Sequence, residues 1–200
     1  QVLKSLSLNM KELLDKEVPD DTPGVLSYDA YWYELKDDTG FRTKTDVRKV
    51  IDCSEVLVSR IQQAYPDKKT IPLAERLIAA LSMHRLAVGD VFIPVGATAK
   101  ELKDSLCLYM PGIEDMPGDA SVNLETQIVT TLRKIYKTVN GQFISKNKDN
   151  DQFYLDLKKD RDYDAQIEQK ADVLSDDSLN TAYRAAMLEI LEQTDEKQDY

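Results

Sequence analysis

Only one histidine, His84, occurs in the sequence, which excludes metal centres built on several imidazoles. The two cysteines, Cys53 and Cys107, are too few for a disulfide framework and suit a reducing cytosol as free thiols. Both fall in apolar helical stretches, where inert core thiols are expected. No run approaches the roughly 18 consecutive apolar residues of a membrane span. Positive charge is in deficit: 26 Lys and Arg against 36 Asp and Glu give −10 and a pI near 4.7. That balance excludes a surface that grips phosphate all over, while leaving room for a local basic patch. A basic, apolar and small-residue leader is also missing, as is an initiator Met, so the chain reads as an excised piece of something longer. What is there suits a folded core: 42% hydrophobic and 31% charged residues over 200 positions, enough for one ordinary domain or two small ones.

Apolar spacing organises the chain. Leu3, Leu6, Met10, Leu13 and Leu14 predict an amphipathic helix over 1–16, followed by a Pro-rich loop over 17–27. Residues 28–36 fit a short strand with Tyr31, Tyr33 and Leu35 on one face, or equally a helix. Helices are expected from Thr45 to Tyr65, stopped by Pro66, and from Pro72 to Leu86. Val91–Val95 reads as a short strand, and Thr98 with Glu101 as a capping box for a helix through Leu108. After a loop over 110–120, Ser121 is expected to cap a helix ending at Asn140-Gly141. A hairpin over Gln142–Lys146 and Gln152–Leu157 follows, then two helices between Tyr163 and Thr194 broken near Ser175-Asp176-Asp177. The fold class is therefore α+β, mainly α, in three parts: a helical region over 1–66, a winged helix over 67–160, and C-terminal helices over 161–200.

The winged helix rests on element order over 71–157: helix, strand, helix, helix, hairpin. Leu124, Ile128, Leu132, Ile135 and Val139 place its third helix on the core, and Phe153, Leu155 and Leu157 face inward from the wing. A DNA reader carries its base contacts toward the N-terminal part of that helix. Here that part holds Ser121, Asn123, Glu125 and Gln127 without a cation. Lys146, Lys148, Lys158 and Lys159 are the candidate phosphate contacts, interleaved with acidic residues. A structural or protein-contacting role is the stronger expectation.

Other motifs yield simpler readings. Val95–Lys100 lacks the G-x-x-x-x-G-K-[ST] of a phosphate loop and reads as strand, turn and cap. His84 has no ligand-type neighbour, and Met83-His84-Arg85 closes a helix C-terminus. The acidic clusters at 19–21, 37–38, 149–151 and 176–177 follow no calcium-loop pattern. Tyr28, Tyr31, Trp32 and Tyr33 form the densest aromatic group. Packing explains them most simply, and a partner surface is the sharper alternative.

Three strings carry a family resemblance: PGVLSYDAYW (23–32), RLIAALSMHRLAVGDVFIPVGATAKELKDSLCLY (76–109) and TVNGQFISKNKDNDQFYLDLKKDRDYDAQIEQKA (138–171). Over about residues 20–175 the chain resembles an internal region of large bacterial phage-exclusion P-loop ATPases, the PglY-like group of Pgl and BREX-type systems. The resemblance implies a helical lid and winged helix downstream of the nucleotide-binding core of an AAA+-like ATPase. Walker A and convincing Walker B runs are missing here, so ATP and Mg²⁺ are expected only in the parent protein. A lid can offer an Arg to the phosphates; Arg76 and Arg85 are the two candidates, and nothing in the sequence chooses between them. Implied partners are the rest of that ATPase or other defence proteins, with DNA as the alternative and no membrane. The expected setting is cytoplasmic, and the expected activity of the piece itself is non-enzymatic.

Overall fold

In the computed structural model, which describes residues 2–15, 25–88, 90–157, 167 and 175–195, most apolar-periodic segments become helix. The chain divides into two units, Gln1–Asp160 and Arg161–Tyr200. The first contains α1 (Val2–Asp15), α2 (Ala30–Asp37), α3 (Thr39–Arg42), α4 (Thr45–Ala64), a 3-10 turn (Lys68–Thr70), α5 (Ile71–Ala87), α6 (Ala99–Leu106), α7 (Ala120–Thr138) and an antiparallel hairpin of β1 (Ile144–Lys146) and β2 (Phe153–Leu155). The described helix of the second unit is α8 (Asp176–Asp195). The protein is thus mainly helical α+β.

The fold is built around α5. It is apolar nearly all round, as a helix surrounded by neighbours must be, and it meets α2, α4, α6, α7 and β2. Leu77, Ile78 and Leu81 are fully buried, each contributing roughly 1.5–3 kcal/mol of transfer free energy. Against it α4 lays Val50, Ile51, Leu57 and Ile61. All five core positions expected for the third helix of the wing domain, Leu124, Ile128, Leu132, Ile135 and Val139, are buried. Beyond α7 the chain turns at Asn140 and Gly141, both with positive φ, and Gly141 N donates to Tyr136 O at 2.8 Å. In the hairpin Ile144 faces Leu155 and Lys146 faces Phe153; Phe153, Leu155 and Leu157 point inward as their alternation requires.

Several expectations are corrected. Val91–Val95 is a pair of bends: Phe92 N and Ile93 N both fold back on Asp90, at 2.9 and 3.2 Å, and Pro94 brings no N–H. Pairing with the hairpin occurs at Ala97 instead, where Ala97 N donates to Phe153 O at 3.0 Å and Phe153 N to Ala97 O at 2.9 Å. The open choice over 28–36 resolves to helix, and Asp38-Thr39-Gly40 opens α3, capped by the Asp38 carboxylate. Asp119, not Ser121, caps α7, because its carboxylate reaches both Ser121 N and Val122 N. In α1 the inward stripe is Leu6, Asn9 and Leu13, at i, i+3 and i+7, which leaves Met10 and Leu14 exposed one row over. Cys53 is buried as expected, whereas Cys107 is exposed, since it ends α6 in the left-handed conformation that turns the chain outward. Apart from Ile167, the first expected C-terminal helix, from Tyr163, lies outside the described residues.

Candidate functional site

Two regions gather the residues singled out by sequence: the junction of α2, α5 and α6, and the β1–β2 hairpin. At the junction Arg76 of α5 is the hub. Its Nε donates to Asp29 Oδ2 at 2.7 Å, and its Nη2 to Ser27 Oγ at 3.0 Å and to Leu106 O at 3.2 Å. The Asp29 side chain is only 4% exposed, and this guanidinium is its ion-pair partner. One arginine thus holds the approach to α2 and the C-terminus of α6 onto the central helix.

The aromatic residues flank this hub and do not share one face. Trp32 is core, Tyr28 and Tyr31 are half-buried, and Tyr33 is exposed. Tyr28 Oη lies 3.0 Å from His84 Nε2, with the rings edge to face, and 3.4 Å from Ser105 Oγ. Burial raises the Tyr28 phenol above its ordinary value and lowers the His84 imidazole below its own, the nearby Glu101 carboxylate opposing the latter. Tyr28 therefore joins the approach to α2 to both α5 and α6, and His84, as its partner on α5, does more than close that helix. Burial, with Glu75 and Asp29 adding, likewise raises Tyr33. Beside this region run two open grooves: one of about 230 Å³ lined by Trp32, Tyr33, Glu55 and Glu75, and one of about 240 Å³ lined by Asn9, Leu13, Asp29 and Arg76.

In the wing, Lys146 is paired with Asp151 and lies over the Phe153 ring at 5.8 Å. That pairing holds the Asp151 carboxyl below its ordinary range, and Arg133 adds to the effect. Lys148 is exposed in the turn. Lys158 and Lys159 lie outside the described residues. On α7 Glu125 is bound by Lys103 at 3.3 Å, while Lys134 reaches Asp67 at 3.2 Å. The hydroxyls of Thr126 and Thr130 donate back to carbonyls of their own helix.

Of the two lid-arginine candidates, Arg85 is sealed at 2% exposure beneath the wing, donating to Ile93 O and stacking on Tyr154 at 5.4 Å. Burial lowers its pKa, and its Nε has no hydrogen-bond partner. The Val95–Lys100 stretch holds a full capping box: Glu101 N donates to Thr98 Oγ1 at 3.1 Å and Thr98 N to Glu101 Oε2 at 2.8 Å. Among the described residues no three His, Cys, Asp or Glu converge on a metal-sized site. The Arg76–Asp29 and Tyr28–His84 contacts were not foreseen; partners 47 and 56 residues apart leave no mark in local spacing.

These features define a helical domain closed by a short hairpin, in which several cations, Arg76, Lys103, Lys134 and Lys146 among them, pair with the domain's own carboxylates. The chain belongs to the family described as DUF6079 second domain, whose model matches residues 1–161. No curated protein and no solved structure matches it.

Proposed function

We propose that this chain is a non-catalytic accessory module, a lid plus winged helix, of a phage-defence AAA+-like ATPase, working by contact with protein partners. The observation that carries the contact reading is the internal pairing of four cations around the helices and hairpin: Lys146 with Asp151, Lys134 with Asp67, Lys103 with Glu125 and Arg76 with Asp29. A phosphate-gripping surface needs such charges facing outward. The ATPase context rests on the resemblance of residues 20–175 to PglY-like proteins, and the family description of a second domain suits a module within a longer chain. A cytoplasmic setting belongs to the same proposal; among the described residues no helix is long and apolar enough to cross a membrane.

In this reading the Arg76 hub keeps the α2 approach and α6 moving as one body with α5, so that a push on the aromatic side reaches the hairpin. The test is a fluorescent duplex-DNA titration at low and physiological salt, beside an ATP hydrolysis assay of the same protein. Weak, salt-insensitive DNA binding and no hydrolysis above buffer are expected. Steeply salt-dependent binding that Lys146→Glu and Lys148→Glu abolish makes it a nucleic-acid module instead. For the ATPase context, the gene region upstream of Gln1 is expected to encode G-x-x-x-x-G-K-[ST].

A further inference from the structure

Helix α8 of the second unit lies beyond the 1–161 family match and carries an outward apolar row. Leu179, Tyr183 and Met187 recur at i, i+4 and i+8 with 47%, 68% and 42% of their surfaces exposed, Ile190 continues the row in sequence, and Leu188 and Leu191 are exposed beside it. Anchors at this spacing are the signature of a helix that lays one face against a partner. In composition the helix is acidic: Asp176, Asp177, Glu189, Glu192 and Asp195 stand against Arg184 alone.

We infer that α8 is a docking helix whose occupant is an amphipathic helix with Lys or Arg flanks, contributed by a partner protein. Charge decides among the occupants. A second copy would bring another five carboxylates and one arginine to the same seam, and like charges across a contact are repulsive. An anionic lipid surface favours helices rich in Lys and Arg, the opposite of this composition. A basic-flanked helix matches both the apolar row and the acidic composition of α8. This inference is independent of the proposed function, because it concerns a different unit of the chain and needs no ATPase.

The experiment uses the full chain and two synthetic helical peptides, each with leucines at i, i+4, i+7 and i+11, one flanked by lysines and the other by glutamates. Fluorescence anisotropy is expected to show the Lys-flanked peptide binding at least about tenfold more tightly, less so as salt rises. Tyr183→Asp and Met187→Asp are expected to weaken it at least about tenfold. Generic attraction to an acidic chain predicts the reverse, since each variant adds a negative charge; undiminished binding by these variants therefore overturns the proposal. Glu189→Lys with Glu192→Lys leaves the apolar row intact and is expected to invert the preference between the peptides. Failure of both peptides to bind overturns the proposal too. Sedimentation equilibrium supplies the remaining outcome: self-association of the chain that Tyr183→Asp abolishes makes a second copy the occupant and overturns it.

Discussion

A solitary histidine makes the pH behaviour of this protein readable at a single residue. Burial holds the His84 imidazole below its ordinary 6.5, so the folded chain binds fewer protons than the unfolded one once the pH drops under that value. Its contribution to stability is complete above about 6.5 and is lost as the pH falls toward the lowered folded value. The carboxyls with lowered values, Asp67, Glu101 and Asp151, act in the same direction but only near and below their ordinary 3.8 to 4.5. Between pH 7.5 and 5.5 the loss of stability is therefore expected to belong to His84. Urea denaturation at the two pH values should show a lower midpoint at pH 5.5 for the native chain and little difference for His84→Asn. An equal drop in the variant would place the titration elsewhere.

Among the elements, the hairpin is met closely by the backbone at Gly96 and Ala97. A Cβ on Gly96 would overlap the Phe153 carbonyl and come within 2.8 Å of Tyr154 Cβ, so backbone rather than a flexible side chain stands in the way. Gly96→Ala should destabilise the first unit by at least about 2 kcal/mol, with a fall in Tm of roughly 4–8 °C, checked by differential scanning calorimetry. An unchanged Tm would mean that the Ala97–Phe153 bridge does not hold the wing. Sequence anticipated the long helices, the capping box at Thr98 and the hairpin, because each rests on spacing within one segment. It misplaced the strand at 91–95, where Asp90 had a turn to offer that no periodicity records. It also left 28–36 undecided, since that choice is made by Trp32 entering the core and Arg76 holding Asp29, both across the fold. The candidate site suffered most for the same reason: residue types were visible, but not that Lys146 is spent on Asp151 or that Tyr28 meets His84.

For the molecule as a whole, the division near residue 160 has a thermodynamic consequence. The buried hydrophobic core runs from Trp32 to Leu157, and the described residues of α8 with assigned burial are exposed throughout. Cooperative unfolding is governed by the apolar surface that leaves water together, so α8 is expected to add little to the main transition. A protein ending at Asp160 should accordingly melt within about 2 °C of the full chain, by far-UV and near-UV circular dichroism followed together. The helical signal lost with α8 should disappear from the native baseline without broadening the transition. A fall of more than about 5 °C would show instead that the second unit shelters part of the first, and would move the limit of the folding unit past the end of the family match at 161. Because α8 is also the proposed docking helix, the same truncation should abolish binding of the Lys-flanked peptide while the core survives. Those two readouts separate a recognition element appended to a folded domain from a helix the domain needs in order to fold.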